Sequence, residues 1–179
     1  MSIDDDPTPA ARRARRLRRW LIDIALILAI VAGVHWWKAR PLVSGEAPPL
    51  AELTLDGRAL DLADLRGQPV LVHFWASWCP MCKLMDGAVA ALARDHPVVT
   101  VAMQSGDRAA LQDVMRQTGH DFPVIADPTG QIAGRWGVIG VPASFVVDSA
   151  GQIRFATVGV STEPGLRLRM WAAAVPPVQ

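Results

Sequence analysis

Residues 70–95 read VLVHFWASWCPMCKLMDGAVAALARD. The run from Val70 to Trp75 is apolar apart from His73 and has the length of a strand covered on both faces. Ala76, Ser77 and Trp78 make a short turn, and a helix is expected to begin near Cys79 and continue through residue 95. Leu84, Val89, Leu92 and Ala93 would supply its apolar face. Pro80 suits the first helical position, because the N–H it lacks would have no partner there. Cys79 then stands at the helix start, where free N–H groups and the macrodipole favour a thiolate. Cys82 returns to the same side one turn later, within reach to close or open a disulfide with Cys79. Strand, turn, Cys-Pro-Met-Cys and helix together make a unit suited to thiol–disulfide exchange. Cys79 would attack a disulfide, and Cys82 would resolve the mixed disulfide that results.

Outward from this unit, strands and helices alternate. LTLDGRALDL (53–62) alternates around Asp56-Gly57, a hairpin signal. VVTVAM (98–103) is a second buried strand, residues 109–118 a helix closed by Gly119, and PVIAD (123–127) a short extended segment. QIAGRWG (131–137) reads as a short helix. Residues 143–148 and 152–160 pair across the Ser149-Ala150-Gly151 turn as an antiparallel hairpin. A helix over 162–174 ends the pattern, capped by Ser161 or Thr162. An α/β domain with a mixed sheet is expected. The domain is assigned to 51–174, after a Pro-rich linker at 38–50 and before a short tail at 175–179.

The chain has 179 residues, 18 Lys+Arg and 17 Asp+Glu, and two cysteines. Two cysteines exclude a disulfide-stapled miniprotein and any all-cysteine zinc or iron–sulfur site. A mean hydropathy of +0.22 in so short a chain points to an apolar segment outside the domain. That segment is WLIDIALILAIVAGVHWW (20–37), behind a basic tail (1–19) that ends in RRARRLRR. Leu21–Trp37 would span roughly 26 Å as a helix, at the short end of what crosses a bilayer. Trp20, Trp36 and Trp37 sit where interfacial anchors belong. Six arginines before the segment set the tail in the cytoplasm and everything after Arg40 outside it. A cleaved signal peptide, with Ala29, Ala32 and Gly33 near its cleavage site, is the alternative. Residues 41–179 carry 10 basic and 13 acidic residues, a net of −3, which argues against nucleic acid as a partner.

HFWASWCPMCK resembles the active-site segment of thioredoxin-like proteins. DGRALDLADLRGQPVLV and GVPASFVVDSAGQIRF are similar to the membrane-anchored periplasmic branch that includes TlpA, ResA and DsbE. AMQSGD, DFPVIADPTGQIAGRWGV and GLRLRMWAA bring the likeness nearest to ScsD-type protein disulfide oxidoreductases. The resemblance covers residues 47–174. It implies a thioredoxin fold with a four- or five-stranded sheet, a single-pass inner-membrane anchor, and a redox domain in the bacterial periplasm. It also implies client proteins with disulfides or thiols, and a transmembrane electron donor of the DsbD/ScsB kind. No cofactor is implied beyond the Cys79–Cys82 disulfide.

By the same resemblance, Gly140-Val141-Pro142 is the cis-proline loop that faces the cysteines. Val141 would offer backbone groups to an extended client segment and Pro142 would hold it close. Trp78 is expected to pack beside Cys79, and Pro80 and Met81 to border the same surface. His73 stands where thioredoxin has a buried carboxylate, and is either a proton acceptor for Cys82 or a hydrogen-bonded core residue. Met85 replaces the glutamate usual in TlpA- and ResA-like proteins, which weakens a role specific to cytochrome c maturation. His96 and His120 read as solvated. Trp75 reads as core, Trp136 and Trp171 as core or edge packing. The preferred activity is reduction or isomerisation of client disulfides, in copper or oxidative-stress tolerance. The alternatives are a copper(I) module using the cysteines with Met81, Met85 and Met103, or a disulfide-forming oxidant.

Overall fold

The computed structural model describes residues 18–31, 33 and 42–175. It falls into two compact units, Met1–Lys38 and Ala39–Gln179. In the first, residues 18–31 are helical (α1) and exposed. Among the described residues no helix is long and apolar enough to cross a membrane. The segment assigned as an anchor runs on to residue 37, beyond the described part of α1, and most of the basic tail lies outside the described residues too.

The second unit is built on a six-stranded mixed sheet of order β1-β8-β7-β4-β5-β6. Strands β4 (Val70–Trp75), β5 (Val98–Met103) and β6 (Val124–Asp127) run parallel, with β6 at the sheet edge. On the other side, β7 (Ala143–Val147) pairs antiparallel with β4, then β8 (Gln152–Val158) with β7 and β1 (Gly45–Glu46) with β8. The sheet therefore has one strand more than the resemblance implies, because residues expected as linker join its edge. Gly45 faces Ile153, Glu46 faces Gln152, and Leu42 and Leu50 are buried on either side. The Asp56-Gly57 hairpin forms as expected between β2 (Ala51–Leu53) and β3 (Ala59–Asp61).

All six residues of β4 are buried, and successive side chains sort to opposite faces as strand geometry requires. Leu71 and Trp75 join a core with α3 (Asp86–Ala93), α4 (Arg108–Thr118) and α6 (Glu163–Ala174). Val70, Val72 and Phe74 join a second core with Leu50, Leu62 and α5 (Gln131–Arg135). At the centre of the second core, Trp136 meets Phe145 edge-on at 4.9 Å between ring centroids and Phe74 at 5.7 Å.

The helix expected from Cys79 is broken into one turn, α2 (Pro80–Lys83), and the longer α3. Cys82, Met85, Val89 and Leu92 form its buried stripe, at the spacing of one helix face. Leu84, one residue before Met85 and so about 100° around the helix from it, is 68% exposed and does not serve the apolar face. Trp171 is likewise 66% exposed rather than packed, because Leu166, Met170 and Ala173 fill the inner face of α6.

Candidate active site

The site forms where β4 ends and α2 begins. Cys79 is the N-cap of α2 in extended conformation, and Pro80 occupies the first turn. Cys79 and Cys82 are joined as a disulfide, with their Cα atoms 5.3 Å apart. The Cys82 N–H donates to Cys79 Sγ at 3.2 Å. It places one backbone donor of the single-turn α2 directly on the Cys79 sulfur. The two sulfurs are not equivalent. Cys79 is 4% exposed and bordered by exposed Trp78, Pro80 and Met81, while Cys82 is 1% exposed beneath it.

The cis-proline loop lies against this pair. The Val141–Pro142 peptide bond is cis, and the Val141 carbonyl oxygen is 3.7 Å from Cys79 Sγ. The Gly159 N–H donates to the Pro142 carbonyl at 2.8 Å and ties the loop to the end of β8. Cys79, Cys82, Val141 and Pro142 thus lie together, with Trp78, Pro80 and Met81 next to Cys79 along the chain.

Trp78 also reaches away from the cysteines. It is 59% exposed, and its indole N–H donates to the Gln104 carbonyl at 3.0 Å. It latches the active-site turn to the loop after β5. A second bond makes the same connection, from the Ser77 N–H to Ser105 Oγ at 2.9 Å. Gln104 holds the left-handed region at φ 47°, costly for a residue with a Cβ, and so turns its carbonyl toward Trp78. Sequence reasoning missed these latch residues; their signal was the polar run QSGD (104–107) directly after the buried β5.

His73 is buried on the core face that holds Leu71, Trp75 and Cys82, and its Nδ1 is 3.0 Å from Ser144 Oγ on β7. Burial lowers its pKa to about 4, so the ring is neutral at physiological pH. The unfolded chain would take up this proton between about 6.5 and about 4. His73 therefore stabilises the fold fully above about pH 6.5, and that contribution is lost as pH falls through about 4. Urea unfolding should show wild type losing about 3 kcal/mol more than His73→Gln between neutral pH and pH 4. Parallel pH profiles for the two proteins would contradict this.

Two expectations about other side chains change. His120 is half-buried rather than solvated: it stacks on Phe122 at 5.2 Å, and its Nε2 is 3.3 Å from Asp86 Oδ2. The proposed copper ligands do not converge. Met103 belongs to the second core, across the sheet from the cysteines, and Met85 is fully buried with its Sδ accepting the Ser161 N–H at 3.4 Å. Among the described residues no cluster of three or more His, Cys, Asp or Glu is arranged to hold a metal.

A mixed sheet between two helical layers, with a Cys-x-x-Cys disulfide at a helix start facing a cis-proline, defines a thioredoxin-like redox protein. Residues 41–168 match the Redoxin family. The chain is 36% identical over 145 residues to a thiol:disulfide interchange protein DsbE homolog of Paracoccus denitrificans, covering 74% of this chain and 80% of that one. It is 28% identical over 163 residues to a thioredoxin-like protein of Haemophilus influenzae, covering 90% of this chain and 97% of that one. Among solved structures, a thiol:disulfide interchange protein of the thioredoxin family from Chlorobium tepidum superposes with a TM-score of 0.62 at 25% identity, covering 73% of this chain and 97% of that one. The chain belongs to the Redoxin family, within its thiol–disulfide oxidoreductases of the DsbE/ResA type.

Proposed function

We propose that this chain is a periplasmic reductase or isomerase of client disulfides, held to the bacterial inner membrane by residues 20–37 with its N-terminus in the cytoplasm. It is the ScsD-type form of the family in this reading. The asymmetry of the two cysteines carries the proposal: Cys79 lies beside exposed Trp78, Pro80 and Met81 and against the Val141 carbonyl, while Cys82 is the more deeply buried of the two. In the reduced protein, the Cys79 thiolate attacks a client disulfide. One client sulfur leaves as a thiolate and takes a proton from water. Cys82 then attacks Cys79 Sγ, the client is released fully reduced, and the Cys79–Cys82 disulfide forms. A transmembrane donor of the DsbD/ScsB kind returns two electrons to the pair. No bound cofactor enters the cycle.

Val141 presents backbone groups to an extended client segment, and Pro142, Trp78, Pro80 and Met81 border the same surface. The substrate-facing sequence Pro80-Met81 has no histidine to stabilise a thiolate strongly, which favours a reducing role over an oxidising one. Copper or oxidative-stress tolerance is the setting proposed for this activity. A specific role in cytochrome c maturation has less support, since buried Met85 stands where the resemblance to TlpA- and ResA-like proteins implies a glutamate. Copper delivery also has less support, given the dispersed methionines. The test is the redox state of the pair in intact cells, read by trapping free thiols on the full chain. A mostly reduced pair is expected; a mostly oxidised one would assign the opposite direction of electron flow.

A further inference from the structure

Cys82 must lose a proton before it can resolve a mixed disulfide, yet it is nearly enclosed, and burial disfavours a thiolate. His73 is engaged with Ser144 and held neutral by its surroundings. A small cavity of about 30 Å³, with room for about one water, is lined by Cys82 and not by His73. Two proton acceptors line it: the Asp86 carboxylate, four residues beyond Cys82, and the His120 imidazole. Their contact at 3.3 Å joins the start of α3 to the segment after α4. Lys83 is the other charged group on the cavity wall.

His120 has a position that Asp86 lacks. It also borders a wide cleft with Arg116 and Asp121, and a third hollow beside Arg94. One face of the ring is stacked on Phe122, which itself lines both the cavity and the wide cleft. The imidazole therefore stands between an enclosed space at the sulfur and open solvent.

We infer that Asp86 and His120 form the proton outlet of the resolving cysteine, as positioning and proton-accepting residues for the exchange chemistry proposed above. The Cys82 S–H proton passes through the cavity to the Asp86–His120 pair and leaves by His120. The freed Cys82 thiolate attacks Cys79 Sγ; the Cys82–Cys79 bond forms and the Cys79–client bond breaks. The client sulfur departs with the electron pair and is protonated from solvent. When the disulfide is reduced again, the same pair returns the proton.

The test uses reduced full-length protein and one equivalent of dithiobis(nitrobenzoate) in stopped flow. Attack by Cys79 releases the first thionitrobenzoate, and resolution by Cys82 releases the second. Asp86→Asn and His120→Gln should slow the second release about 10-fold or more at neutral pH and leave the first unchanged. The pH profile of the second release should move alkaline, and Asp86→Glu should restore it. His120→Phe keeps the stack on Phe122 but cannot accept a proton, so it should be as slow as His120→Gln. A second release at the wild-type rate in the Asn, Gln and Phe variants overturns the inference. So does a His120→Phe variant that resolves normally, because the ring would then matter only for packing. If His73→Gln alone slows resolution, the outlet belongs to His73 and the inference fails. A wild-type protein that releases no thionitrobenzoate overturns the exchange reading itself, and the inference with it.

Discussion

Replacing Cys82 with alanine should convert this protein from a turnover catalyst into a trap. Cys79 keeps its access to clients: its rim of Trp78, Pro80 and Met81 and its contact with Val141 involve no atom of the Cys82 side chain. The first exchange step therefore proceeds. The second cannot, because the only sulfur placed to attack Cys79 is gone. Mixed disulfides accumulate and migrate as adducts on non-reducing gels that collapse on reduction, while insulin-disulfide reduction falls to the uncatalysed rate. Cys79→Ala should lose the activity and form no adducts. The loss in Cys82→Ala has two parts: the resolving sulfur, and the smaller change from removing a group of the inner core. Unfolding measurements on the reduced protein separate them, because only the second part appears there. Adducts formed equally by Cys79→Ala and Cys82→Ala would show that the sulfurs have no division of labour.

The largest effect on stability is expected at Trp136. It is wholly buried between Phe74 and Phe145, so Trp136→Ala removes a large apolar area and leaves a cavity in the second core. The cost should be about 3–5 kcal/mol, a large share of the stability of a domain this size. Trp136→Phe is expected to cost much less. The indole N–H of Trp136 has no hydrogen-bond partner, and a buried unpaired donor costs about 1–3 kcal/mol. Phenylalanine removes that donor while keeping most of the ring, so the two changes oppose one another. Urea titrations of the three proteins check the order wild type, Phe, Ala. Equal losses for Phe and Ala would mean that the orphaned N–H has a partner in solution.

The segment 70–95 carried most of the fold and half of the site by itself. A six-residue run buried on every side, a proline after a cysteine, and a second cysteine one turn on are local signals. The physics behind each acts over one strand or one helical turn. The buried stripe of α3 was legible for the same reason at Val89 and Leu92, and misleading at Leu84, because a break after α2 was invisible to composition. The cis-proline loop was found through resemblance, since nothing in Val141-Pro142 alone distinguishes it from an ordinary turn.

Tertiary structure decided what depends on pairing between distant segments. Two residues of the Pro-rich stretch, Gly45 and Glu46, become an edge strand only because β8 offers unpaired backbone groups there. Trp78 reaches Gln104, His73 reaches Ser144 and Asp86 reaches His120, each across a register set by the sheet or by helix packing. A histidine reads the same in sequence whether solvated or stacked beside a carboxylate, because its burial is a property of its neighbours. The sequence by itself determined that the two cysteines stand one helical turn apart where a buried strand gives way to a helix. Only the fold decided which groups surround each sulfur, because burial and proton access come from side chains far away along the chain.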